Sequence, residues 1–309
     1  NLRGNSAVNL NHRNKNVNYF GTYSNNFSKR EQVLDIRRLF ESGINQTYFD
    51  QNAEILNQNI NNSLRAGADI FINKKSTLGF LANAYISGGD DTNLNTTRVS
   101  STINTLDSSI FVSNLTDKRY RNYSFNTNYK LTLDSLGQEF SVDLDYSNYF
   151  GRDKADYNNF YFLENGNQLR NPWFFRNTTP SQINIAAIKI DYTKPIGKKS
   201  KLEAGVKTSY VKTDNDFQFT QLNNTVWEND ELRSNHFIYD ENVNAAYLSF
   251  STSIIKTNVQ FGLRAEQTNS KGDLITTNNV VKRSYINFFP TAFLTRSLGK
   301  NHSLSLSYS

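Results

Sequence analysis

Asp143 and Asp145 stand two residues apart, as do Asp214 and Asp216. Paired carboxylates can divide acid–base work or gather round a calcium ion, provided both project the same way. On a β-strand they do, because successive side chains point to opposite faces and residues i and i+2 share one. The neighbours then decide between chemistry and architecture. Residues 138–150 read QEFSVDLDYSNYF, with Phe140, Val142, Leu144 and Tyr146 on one parity and Ser141, Asp143, Asp145 and Ser147 on the other. A whole polar row shares the carboxylate face, so a water-facing wall accounts for the acids without catalysis.

Other reactive constellations are missing from the sequence. There is no Gly-x-Ser-x-Gly, no glycine-rich phosphate loop and no His-Glu-x-x-His. His12, His236 and His302 follow no metal-ligand spacing, and the absence of cysteine removes disulfides and thiolate metal sites. Gly88-Gly89-Asp90-Asp91-Thr92-Asn93 has the acids of a calcium loop but not its spacing, with glycine at the sixth place. The expectation is a chain with no catalytic residue, no metal and no cofactor.

The elements that carry these residues repeat one rhythm. Tyr123, Phe125, Tyr129 and Leu131 alternate with polar residues, as do Leu202, Ala204, Val206 and Tyr210, then Val259, Phe261, Leu263 and Ala265, then Leu304, Leu306 and Tyr308. Period two recurring at this frequency predicts strands near 5–12, 17–27, 61–72, 77–86, 118–131, 139–150, 181–194, 200–213, 236–251, 256–268, 284–296 and 302–309. Such strands suit either a soluble sheet wet on one face or a membrane barrel with lipid outside and water inside.

Composition narrows the choice. No run approaches the ~18 to 20 apolar residues of a membrane helix, and the mean hydropathy is −0.63. A β-barrel escapes that objection, since only alternate residues meet lipid. The net charge is +6, yet the cations are scattered and the densest group, Gly197-Lys198-Lys199-Ser200-Lys201, falls at a turn, so nucleic acid is not an expected partner. The start at Asn1-Leu2-Arg3, without initiator Met or signal peptide, reads as a mature product or fragment.

Connection lengths decide. Short turns at Arg13–Asn16, Asn73–Ser76, Asp134–Gly137, Ile196–Lys199 and Leu298–Asn301, with a weaker one at Thr252–Ile255, alternate with long polar segments near 28–60, 87–117, 151–180, 214–235 and 269–283. In an up-and-down meander, one rim then carries turns and the other long loops, the asymmetry of bacterial outer-membrane barrels. Phe140, Val142, Leu144 and Tyr146 are expected to face lipid, and Asp143, Asp145, Glu203, Lys207, Arg264 and Glu266 the lumen. Tyr146 and Phe150 would join an interfacial girdle with Tyr85, Tyr210, Tyr239 and Phe288. Asn171-Pro172-Trp173-Phe174-Phe175-Arg176 concentrates aromatics in a long loop, and Trp227 stands in the next; Trp173, Phe174, Phe175 and Trp227 are candidate ligand or partner contacts, or else fold onto the barrel mouth.

Particular stretches add a resemblance. The segment from Asp69 to Phe80, Asp240 to Leu248, Gly262-Leu263-Arg264-Ala265-Glu266-Gln267-Thr268, Asn287-Phe288-Phe289-Pro290 and His302 to Ser309 resemble the outer-membrane β-barrel family of TonB-dependent-receptor type common in Bacteroidetes. The likeness runs from about residue 60 to the end. It implies an all-β, antiparallel, up-and-down transmembrane barrel of about 22 strands, of which about twelve are here, with 1–309 forming part of one barrel domain. The N-terminal plug and the remaining strands are expected outside these residues. It further implies the bacterial outer membrane as location, solute uptake or service in a larger outer-membrane assembly, and as partners outer-membrane lipid and lipopolysaccharide, the TonB complex through the plug, and a surface lipoprotein. A passive channel and a soluble or surface-attached β-rich adhesion protein are the alternatives.

Overall fold

Alternating residues punctuated by turn formers make an antiparallel meander, and the computed structural model is one. It describes residues 1–43, 45–102, 105–299 and 302–309. Thirteen strands form one sheet: β1 (Leu2–Arg13), β2 (Val17–Ser42), β3 (Asn45–Phe71), β4 (Ser76–Ser100), β5 (Ser108–Thr132), β6 (Glu139–Leu163), β7 (Gln168–Ile196), β8 (Ser200–Asn223), β9 (Val226–Asn229), β10 (Asn235–Ile254), β11 (Thr257–Leu274), β12 (Asn279–Ser297) and β13 (Ser303–Tyr308). Every strand pairs antiparallel with the next, except that the short β9 folds back on β8 and β10 takes the place beside β8. Among the described residues β1 pairs only with β2 and β13 only with β12, which leaves the sheet two free edges.

The short turns are set by local side chains. Asn14 Oδ1 accepts from the amides of Asn16 and Val17 at 2.9 and 2.8 Å, and Asn73 Oδ1 does the same for Lys75 and Ser76 at 2.8 and 2.9 Å. Asp134 Oδ1 accepts from Leu136 and Gln138, both at 2.9 Å. Each is an Asx-type closure that mimics a backbone turn. Gly137 and Gly197 supply the left-handed φ of +93° and +65° that two of these turns require.

The register carries each face across the sheet. Leu144 lies opposite Thr127 of β5 and Ile188 of β7, and Ile188 opposite Thr208 of β8. The resulting belt includes Phe80, Phe125, Leu144, Ile188, Val206, Leu248 and Phe261, all exposed, and among the described residues no second layer covers it. Among the described residues the buried apolar set is only Ala53, Ala155, Tyr161, Phe219 and Ala245. A soluble sheet would bury its oily face against a core; this one presents it outward.

Three expectations change. All twelve expected strands are present, but most run far beyond their expected ends, and β9 is additional. The segments 28–60, 87–117, 151–180, 214–235 and 269–283 are for the most part strand, because the hairpins continue where both faces mix polar and apolar residues and period two no longer marks them. β6, for example, has 25 residues, about 80 Å at ~3.3 Å per residue, against the ~9 to 11 residues that cross a bilayer. Gly88–Asn93 accordingly lies extended within β4 and forms no loop. Tyr85 and Tyr239 leave the proposed girdle: their register puts them on the polar face, where Tyr85 meets Tyr120 edge-on at 5.7 Å. Of the expected turn at 298–301, Lys300 and Asn301 lie outside the described residues.

Candidate functional site

Asp143, Asp145, Glu203, Lys207, Arg264 and Glu266 all fall on one face, opposite the apolar belt. Asp143 stands opposite Lys189, Lys189 opposite Lys207, Lys207 opposite Ala245, and Ala245 opposite Glu266. The charges on this face are largely paired. Lys189 Nζ lies 2.6 Å from Asp191, Lys201 2.8 Å from Glu203, and Arg264 is paired with Glu266. Asn126 donates to Asp145 at 2.7 Å. Tyr247 of β10 reaches across Gly205 of β8 to donate to Asp191 of β7, and a Cβ on Gly205 would overlap its ring. Arg264 sits over that ring, 5.5 Å from its centre. Side chains thus link β7, β10 and β11 across β8 into one ionic wall. Asp214 and Asp216 sit on the other face, where Asp214 hydrogen-bonds His236 at 2.8 Å.

The aromatic candidates sit on strands, not in loops: Trp173, Phe174 and Phe175 in β7 and Trp227 in β9. Strand placement splits them. Trp173 and Phe175 share the face of the ionic wall, since Phe175 lies opposite Tyr157 of β6 and Gln221 of β8. There Phe175 stacks on Tyr157 at 4.5 Å and on Phe219 at 5.1 Å, while Trp173 lies 4.5 Å from Phe175. Arg233 caps the group, 5.7 Å from the Trp173 ring and 5.1 Å from that of Phe219. Higher on the same hairpin, Arg170 stacks over buried Tyr161 at 3.6 Å. Phe174 points the other way, edge-on to Phe160 at 5.7 Å, and Trp227 lies beneath Arg176 at 4.4 Å on that same opposite face.

Sequence reasoning missed Tyr157, Tyr161, Arg170, Phe219 and Arg233. The available signal was the Phe217 and Phe219 pair at spacing two; Arg233 joins Trp173 only through the fold-back at β9. Phe219 is 6% exposed while Trp173 keeps 38%, so the cluster is anchored below and open above. A partly open aromatic platform flanked by guanidinium groups can stack planar or apolar groups and pair with anions.

Residues 131–309 match the model of the outer membrane protein beta-barrel family. Among solved structures, that of the ferric citrate transporter FecA in its unliganded form aligns over 98% of this chain with a TM-score of 0.54 at 12% identity, which is a likeness of fold. The chain spans 43% of that transporter's length. The outer membrane protease OmpT from Escherichia coli aligns over 91% of this chain and 96% of its own at 12% identity, with a TM-score of 0.27. The ferric yersiniabactin uptake receptor FyuA from Yersinia pestis aligns over 97% of this chain and 65% of its own at 10% identity, with a TM-score of 0.20. No curated protein sequence matches this chain.

Proposed function

Because the chain belongs to the outer membrane protein β-barrel family and so to the bacterial outer membrane, we propose that its sheet is an arc of the wall of a TonB-dependent-receptor-type uptake protein. One observation carries this: a sheet with an uncovered oily face and an ionic opposite face, whose hairpins continue past the belt and end in a partly open aromatic and arginine platform. In this reading the belt faces lipid, and Asp143, Asp145, Glu203, Lys207, Arg264 and Glu266 line a watery lumen. Trp173 and Phe175 are the solute contacts, facing inward above that lumen. Phe174 and Trp227, on the outward face, are left for partner contacts such as a surface lipoprotein. No covalent step is assigned to the chain.

Two free edges support a larger closed barrel, since a backbone N–H or C=O left unpaired in hydrocarbon costs several kcal/mol. The remaining strands would add at β1 and β13, and a plug carrying the TonB contact would fill the lumen; both belong to sequence outside these residues. A Bacteroidetes-type origin rests on the segments at 262–268 and 287–290.

The faces are tested with spin labels. A label at Leu144 should be quenched by a lipid-soluble agent and one at Asp145 by a water-soluble agent; equal behaviour at both would end the barrel-wall reading. Uptake by cells carrying the intact protein should collapse when the proton gradient is dissipated. Uptake that survives marks a passive channel.

A further inference from the structure

On the lipid-facing side, just beyond the belt, Arg119 of β5 stands directly opposite Arg152 of β6. Like charges directly opposed across a strand pair are destabilising. Arg121 lies opposite Phe150, over whose ring it sits at 4.7 Å, and Lys154 lies opposite Asp117. Four cations therefore crowd two strands, against Asp117 and its cross-strand neighbour Asp90. Asp117 is shared: Arg119 and Arg152 each approach it to 3.2 Å. Arg152 Nε itself is buried and has no hydrogen-bond partner among the described residues. The outer part of both guanidinium side chains stays open to the surroundings, Arg119 at 65% and Arg152 at 37% exposure.

Below the cations, the same face holds an apolar groove of about 380 Å³. Tyr146 and Tyr210 wall it on either side of Ala186, which lies directly opposite both, and Phe125, Leu144 and Ile188 continue its lining. Arg152 is eight residues above Leu144 on β6, about 26 Å along the strand and about 20 Å in height at a tilt near 40°. If Leu144 lies near the midplane, that height falls in the headgroup layer of a bilayer ~40 to 45 Å thick overall.

We propose that Arg119, Arg121, Arg152 and Lys154 bind the phosphate headgroup of a membrane lipid whose acyl chain lies in the groove over Ala186. The guanidinium pair offers the planar, multi-donor recognition that phosphate favours, and the anion relieves the Arg119–Arg152 opposition. The proposal rests on the belt facing lipid.

The test uses the intact membrane protein in neutral detergent, probed with lipid A, its dephosphorylated counterpart and inorganic phosphate, with retained lipid read by native mass spectrometry. Wild-type protein should retain lipid A and not the dephosphorylated form. Arg119→Gln with Arg152→Gln should lower retention roughly tenfold or more, whereas Lys118→Gln, on the opposite face, should leave it unchanged. Equal retention in the double variant, or displacement of lipid A by equimolar inorganic phosphate, would overturn the proposal. Should the double variant fail to insert, Ala186→Phe fills the groove without altering a charge, and undiminished retention in it would overturn the proposal equally. Quenching of the Leu144 label by the lipid-soluble agent is read in parallel, so an error in the faces is distinguished from the lack of a lipid site.

Discussion

Leu144→Arg places a guanidinium where the oily belt should be deepest. Leu144 lies five residues beyond the start of β6 at Glu139, about 17 Å along the strand and about 13 Å in height at a tilt near 40°, which is half of an apolar band ~25 Å tall. An arginine near the midplane of such a band costs about 2 to 4 kcal/mol. The neighbouring position gives the control. Asp145 is on the other face, exposed, and its side chain accepts one bond, from Asn126 at 2.7 Å. Asp145→Arg forfeits that bond, about 1 kcal/mol, and its long side chain can extend into water. Both variants are unfolded and refolded in urea in the presence of lipid vesicles, and the midpoints compared with wild type. The Leu144 variant should lose at least twice the stability of the Asp145 variant. Equal losses, or the reverse order, would refute the assignment of faces.

Gly205→Val should displace the Tyr247 side chain from Asp191 and cost about 1.5 to 3 kcal/mol in the same titration; an undiminished cost in a Tyr247→Ala background would mean that the crossing tyrosine is not the cause. Trp173→Ala should weaken solute binding by about 0.5 to 1.5 kcal/mol of stacking, read by fluorescence titration, while Trp227→Ala on the other face should leave it unchanged; the opposite pattern would move the binding ledge to the outward side. Arg119 first, and Arg152 after it, hold the Asp117 carboxyl below its ordinary range against the opposing effect of burial. Its folded value being depressed, it contributes stability above the ordinary Asp pKa of ~3.9 that is lost as pH falls through the folded value. Asp117→Asn should flatten the acid limb of the stability–pH curve below that point, and an unaltered limb would show the triad to be inert.

The division into an apolar and a polar row was legible in the sequence because alternate residues of a strand share a face. Six candidates chosen by parity alone, from Asp143 to Glu266, share one face. Above the belt that division vanishes. Gly88–Asn93 reads as a loop because glycine and short polar residues favour turns, yet register with β3 and β5 holds it extended. Residue type misleads at Tyr85 and Tyr239: tyrosine suits an interfacial girdle, but their parity puts them on the ionic face. Trp173 and Phe174, adjacent in sequence, read as one loop cluster, yet neighbours on a strand point to opposite faces. The platform itself depends on partners such as Arg233, which the chain brings to Trp173 only after two reversals, and no local pattern encodes that meeting.

The long hairpins bear on survival at a cell surface. A protease must draw an unpaired, extended stretch of chain into its cleft. From Gly151 to Asn159, β6 is hydrogen-bonded to β5 on one side and β7 on the other, so its backbone is already engaged. Along these hairpins, chain outside the ladder lies at tips such as 164–167 and 230–234, where a cut severs a loop and leaves the ladder standing. A rim built of paired strands can therefore project far from the membrane while offering digestive enzymes little more than its edge.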